Sequence, residues 1–195
     1  MPPFRDVALS RAIIMTMVDG PPGSMRHVAF LRAINTGNRR LKMADLRRAF
    51  DDAGFGPVAT HLATGNVIFP PGPGPNRGEL EGVIRDSFGF MAEVFLRDED
   101  HVRTIVDRSP WPPWFLVEVS FLEREPDRAT ARELEATIRK PEALIVDRTE
   151  VFFRREGKGI ETVHKEATTE RILGMRTTRR GLSTITGIVE RYLET

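Results

Sequence analysis

The apolar positions of this chain fall into two spacings that alternate in the same order twice. Val28-Ala-Phe-Leu-Arg-Ala-Ile34 is almost continuously apolar and predicts a central strand. Leu46, Ala49, Phe50 and Ala53 recur at three- and four-residue spacing, which predicts a helix over Leu41–Ala53 that Gly54 stops. Two short strands, Val58–Ala63 and Asn66–Phe69, flank Thr64-Gly65, a pair suited to a tight hairpin turn. The run Pro70-Pro-Gly-Pro-Gly-Pro75 predicts a surface loop. Leu80, Val83, Ile84 and Phe88 then mark one face of a helix over Glu79–Phe88, and Ala92–Leu96 closes the set as a strand. Strand, helix, strand, strand, helix, strand is the ferredoxin-like βαββαβ plait.

Asp98–Arg108 reads as a connecting helix, and Ser109-Pro-Trp-Pro-Pro-Trp114 as a rigid non-helical link. The pattern then returns. Strands are expected at Phe115–Leu122, Ala143–Val146 and Val151–Arg154, with helices at Asp127–Arg139 and Lys165–Leu173. A short polar strand at Arg176–Arg179 and a terminal helix at Ser183–Leu193 complete the series. The expected fold class is therefore α+β: two ferredoxin-like halves packed together, followed by a terminal helix. The halves divide as residues 25–98 and 99–195, after a disordered N-terminal extension of residues 1–24 that ends in Asp-Gly-Pro-Pro-Gly-Ser.

Composition narrows the function classes. The chain has 29 Lys and Arg against 28 Asp and Glu, so no global charge favours nucleic acid or anionic membrane. It has no Cys, which removes disulfides, thiolate nucleophiles and Cys-held metals, and fits a cytoplasmic setting. No apolar run approaches the roughly 20 residues that span a bilayer. The four histidines, His27, His61, His101 and His164, show no ligand spacing, so neither a metal nor another cofactor is expected.

The chemistry-bearing segment is Asn35-Thr-Gly-Asn-Arg-Arg-Leu-Lys42, which leads from a strand into a helix. Free N–H groups at a helix start, beside glycine and cations, suit an anion. Without the Gly-Lys-Ser/Thr ending it is not a phosphate-binding loop of the Walker type. Arg32, Asn35, Gly37, Asn38, Arg39 and Lys42 are the candidate ligand-binding residues here, with Thr64 and Asn66 of the hairpin and Lys165 of the second half. The same groups also suit a helix cap and a hairpin turn, and no residue is assigned a catalytic role.

The words Leu31-Arg-Ala-Ile-Asn-Thr-Gly-Asn-Arg-Arg-Leu-Lys-Met43 and Thr64-Gly-Asn-Val-Ile-Phe69 resemble the domain of unknown function 1697 family of bacterial proteins. The resemblance runs from about Met25 to the C-terminus and implies paired ferredoxin-like halves, with no established activity. Ala33 and Asn38 stand where that family usually has glycine. Gly157–Lys165 matches its Gly-x-Gly-x-Ser-Lys-like segment only loosely, and Arg179-Arg-Gly-Leu-Ser-Thr184 replaces its Arg-Asn-Trp-Asn-Thr motif.

The expected function is a non-catalytic module that binds an anionic small molecule or phosphate group through Asn35–Lys42. Two other readings stay open. One is an enzyme acting on a phosphorylated or carboxylated substrate, with Lys165 or His164 facing that loop. The other is RNA binding by a sheet that displays Phe30 and Phe69; the Lys/Arg-Gly-Phe/Tyr-Gly-type word of RNA-recognition sheets is missing, so nucleic acid is not the expected partner. The second basic set, Arg154, Arg155, Lys158, Arg176, Arg179 and Arg180, reads as surface arginines, and Trp111 and Trp114 as packing between the halves.

Overall fold

The computed structural model describes residues 25–37, 40–155 and 164–194. Two four-stranded antiparallel sheets form its centre. The first half runs β1 (Met25–Leu31), α1 (Met43–Asp52), β2 (Ala59–His61), β3 (Asn66–Gly72), α2 (Arg77–Phe88) and β4 (Val94–Asp98), with sheet order β2-β3-β1-β4. α3 (Glu99–Asp107) links it to the second half: β5 (Leu116–Leu122), α4 (Arg128–Glu135), β6 (Ala143–Asp147), β7 (Glu150–Arg155), α5 (Glu166–Leu173) and β8 (Thr177–Gly181). The second sheet has the order β6-β7-β5-β8, the same arrangement. α6 (Leu182–Ile188) and a π-helical turn over Val189–Leu193 end the chain.

Strand alternation decides how the halves meet. In β1, Ala29 and Leu31 face α1 and α2 and pack with Leu46, Phe50, Leu80 and Ile84. Val28 and Phe30 face the other way, where Val119, Phe121 and Phe152 of the second sheet meet them. Phe30 stacks on Phe121 with ring centroids 3.9 Å apart. The sheets thus bury their open faces against each other, and α3 and α6 close the sides with Val102, Ile105, Ile185 and Ile188. A sheet-face RNA platform is not available: Phe30 and Phe152 lie in this central core, and Phe69 and Phe153 are buried against the helices.

Boundaries move where local geometry overrides hydropathy. β1 ends at Leu31 rather than Ile34, because the chain turns through Ala33 at φ 55° while Ile34 still reaches the core. The hairpin after β2 is four residues long, with Leu62 at φ 57° and Gly65 at φ 80°, not a two-residue turn. β3 extends through Pro70 and Pro71 to Gly72; β2 pairs with β3 only as far as Ile68, so the prolines are not asked for an N–H on that side. Asn76 and Glu79 form a reciprocal capping box at α2, and Asp98 and Asp127 cap α3 and α4. Residues 1–24, expected to be a disordered extension, lie outside the described residues. Among the described residues no helix is long and apolar enough to cross a membrane.

All four edge strands are closed by a carboxylate from the preceding helix. Asp51 accepts from Val58 N beside β2 at 2.9 Å, and Glu81 from Val94 N of β4 at 3.0 Å. Glu135 accepts from Val146 N of β6 at 2.9 Å, and Glu170 from Thr177 N of β8 at 3.0 Å. Each bond occupies an N–H that would otherwise invite another strand. Glu135→Ala is expected to lower stability by about 1 kcal/mol, a fall of roughly 2–4 °C in Tm, whereas Glu133→Ala on the exposed side of α4 leaves Tm unchanged. Paired thermal melts check this.

Candidate functional site

The predicted residues converge in part on a cleft of about 280 Å³ between the halves. Arg32, Asn35 and Thr64 line it from the first half, and Glu166, Thr178, Arg179 and Arg180 from the second. The bend after β1 and the four-residue hairpin form one wall; the start of α5 and strand β8 form the other.

Arg32 is half-buried and paired, its Nη1 3.3 Å from Glu93 and its Nη2 3.1 Å from Glu170. Asn35 spends its amide on the loop: Oδ1 accepts from Leu41 N at 2.6 Å, and Nδ2 donates to Leu41 O at 3.1 Å and Ala63 O at 2.9 Å. It ties the loop to the hairpin rather than capping α1. Gly37 is exposed at φ 60°, a backbone position suited to glycine. Lys42 and Lys165 are exposed in the N-cap positions of α1 and α5, give no side-chain cap, and do not line the cleft. Asn38 and Arg39 lie outside the described residues, as does the Gly157–Gly159 segment. Asn66 is fully buried beneath the hairpin, donating to His61 O at 2.8 Å and to Thr64 Oγ1 at 3.0 Å.

His164 does not suit proton exchange near neutral pH. It is buried, its Nε2 sits 2.7 Å from Thr169 Oγ1, and burial together with the Arg179 charge lowers its pKa to about 4. The ring is neutral at pH 7 and packs against Phe153. Among the described residues no three His, Asp or Glu side chains group closely enough to hold a metal. Trp111 packs at the edge of the central core beneath the Arg154 guanidinium, while Trp114 is 78% exposed. A larger groove of about 430 Å³ passes Trp114, Leu116 and Leu182, but none of the predicted residues lines it.

The dominant group of the cleft is Arg180, which sequence reasoning placed on the surface. It is only 7% exposed. Its five N–H donors all meet neutral oxygens: Nε donates to Asn66 Oδ1 at 2.6 Å, Nη1 to Thr178 Oγ1 at 2.9 Å and Arg179 O at 2.7 Å, and Nη2 to Leu31 O at 2.8 Å and Gly65 O at 3.4 Å. Three of these partners belong to the first half, so one side chain joins β8 to β1 and the hairpin. Burial lowers its pKa to about 10, and the more distant Glu166 charge opposes the shift, so it stays cationic at pH 7. Among the described residues no carboxylate makes an ion pair with it. Neighbouring Arg179, by contrast, donates to Glu118 at 3.1 Å.

The other half contains the matching constellation. Arg97 of β4 pairs opposite Val28 of β1, as Arg180 of β8 pairs opposite Val119 of β5. Arg97 lies over Phe121 and donates to Leu122 O at 2.9 Å; Arg180 lies over Phe30 and donates to Leu31 O at 2.8 Å. Phe121 pairs opposite Glu150, and Phe30 opposite Asn66. The two arginines therefore occupy equivalent nests, one holding Glu150 and the other Asn66. Arg97 Nε lies 3.1 Å from Glu150 Oε1, His101 Nε2 3.0 Å from the same oxygen, and Arg108 Nη2 2.9 Å from Oε2. Burial resists ionisation of Glu150, but the His101 hydrogen bond and the charges of Arg97 and His101, with Arg108, outweigh it and hold the carboxyl at about 2.

Comparison with known proteins agrees with the fold. The conserved bacterial protein SP0830 from Streptococcus pneumoniae superposes with a TM-score of 0.67 at 17% sequence identity, over 88% of this chain and 100% of that one. At that identity the likeness establishes the fold alone. No curated protein matches the sequence significantly. The family model described as "Protein of unknown function (DUF1697)" matches residues 25–152, about two thirds of the chain, and the chain belongs to that family.

Proposed function

We propose that this protein is a non-catalytic module that binds an anionic small molecule in the cleft between its halves. One observation carries the reading: a guanidinium buried at the cleft floor, charged at pH 7, meets only neutral hydrogen-bond acceptors. A buried charge of this kind is costly unless an opposite charge comes near it. The cleft opens beside it and carries the hydroxyls of Thr64 and Thr178. The site thus shifts from the Asn35–Lys42 loop itself to the floor which that loop helps to enclose. The enzyme alternative loses its proton-transfer group with His164. A cytoplasmic setting suits a module of this kind built without Cys.

The test is a thermal-shift series on the full chain with carboxylates, inorganic phosphate and sugar phosphates at fixed ionic strength. Ligand binding to the folded state raises stability by RT ln(1 + [L]/Kd). At least one anion is expected to raise Tm in a saturable way, and Arg180→Met is expected to abolish the response. No response from the wild type, or an equal response from the variant, contradicts the reading.

A further inference from the structure

Building on the anion-binding reading, we infer that the ligand is a small-molecule monocarboxylate, whose charge does for the Arg180 nest what the Glu150 side chain does for the Arg97 nest. The chain supplies its own reference. The two nests share strand register, the aromatic ring beneath the guanidinium and the bond to a leucine carbonyl in the opposite half. They differ at one decisive position: the residue paired opposite the aromatic ring is Glu150 in one half and Asn66 in the other. The Glu150 nest is closed, its carboxylate 0% exposed. The Asn66 nest adjoins a cleft, and the hairpin beside it, between β2 and β3, is longer than the one between β6 and β7.

The hydrogen-bonding pattern describes how the ligand is held. Arg180 has no donor left over, so it contributes charge and not a direct bond. Thr178 Oγ1 already accepts from Arg180 Nη1, and Thr64 Oγ1 accepts from Asn66 Nδ2. Each hydroxyl therefore turns its own proton elsewhere, and both residues line the cleft. Three arginines line the cleft, but Arg32 is paired with Glu93 and Glu170 and Arg179 with Glu118, so among the described residues Arg180 is the cleft guanidinium without an ion pair. Two hydroxyls beside that one uncompensated charge suit the two oxygens of a carboxylate. With the charges of Arg32 and Arg179 already met by their own carboxylates, Glu166 in the same wall acts against a second negative charge, which disfavours phosphate with its charge of about −1.5 to −2 at pH 7.

The experiment is isothermal titration of the full chain at pH 7 and constant ionic strength with acetate, lactate and inorganic phosphate. The wild type is expected to bind at least one monocarboxylate several-fold more tightly than phosphate. Asn66→Asp, nearly isosteric, gives the nest an internal carboxylate and is expected to weaken carboxylate binding at least tenfold. Glu166→Gln folds independently of that change and is expected to narrow the preference by tightening phosphate. Tighter binding of phosphate by the wild type, or unchanged carboxylate affinity in folded Asn66→Asp, overturns the inference and leaves the anion-binding reading standing. If Asn66→Asp does not fold, an unchanged carboxylate-to-phosphate ratio in Glu166→Gln overturns it. Failure of every anion to bind the wild type removes both.

Discussion

Glu150→Gln is expected to be the most damaging conservative substitution in the protein, costing about 3–5 kcal/mol and lowering Tm by roughly 10 °C or more. The carboxylate is 0% exposed and sits among Arg97, Arg108 and His101. Glutamine keeps the shape but leaves the largely buried Arg97 without its counter-charge, while Arg108 keeps only Asp147. The same residue sets an acid limit. Its pKa in the folded state is about 2, below the ordinary 4.5. A depressed carboxyl pKa contributes stability that is full above the unfolded value and disappears as pH falls through the folded one. The wild type should therefore lose this contribution between about pH 4.5 and pH 2, and Glu150→Gln should lack that component of the loss. Chemical denaturation of both proteins at pH 7, 4 and 3 measures it. Equal stability of the two at pH 7 contradicts the account of the nest.

Gly65→Ala is expected to cost about 2–4 kcal/mol, from a left-handed backbone and a crowded site together. Gly65 has φ 80°, and a Cβ there would lie 2.9 Å from Ile34 Cδ1 and 3.1 Å from Leu31 Cβ. Neither neighbour is free to retreat: Ile34 and Leu31 are both buried in the core under α1 and α2. The carbonyl of Gly65 accepts from Leu31 N at 2.7 Å and also from Arg180 Nη2, so displacement of the hairpin disturbs the cleft floor as well. The variant should show both a lower Tm and weaker anion binding. Gly37→Ala, also at positive φ but with open space around its Cβ, should lose only the backbone share of about 1 kcal/mol.

The order of elements was legible because it rests on local periodicity. Leu46 with Phe50, and Leu80 with Ile84, face inward at helical spacing, and the strands alternate between two apolar faces. β8 was harder to read: Thr177, Thr178 and Arg180 are buried although polar, because their side chains bond to Glu166, Arg180 and the opposite half. The site was legible on one wall only. Asn35, Thr64 and Asn66 form a local motif, but the three first-half partners of Arg180 lie 114 to 149 residues away along the chain, and no local pattern announces them. The signal that was present is the equivalence of the halves. Phe121 and Leu122 repeat Phe30 and Leu31, and Arg180 falls where Arg97 does, but only strand register makes the correspondence visible.

The contrast between Arg180, which meets only neutral oxygens, and Arg97, which meets Glu150, can be read by side-chain NMR in one sample. The Nε–H resonances of the two arginines are followed as a monocarboxylate is titrated into the full chain at constant ionic strength. The Arg180 resonance is expected to shift saturably while that of Arg97, already facing Glu150, stays in place. Equal movement of both, or a fixed Arg180 resonance while another part of the protein binds the ligand, contradicts the proposed site at Arg180.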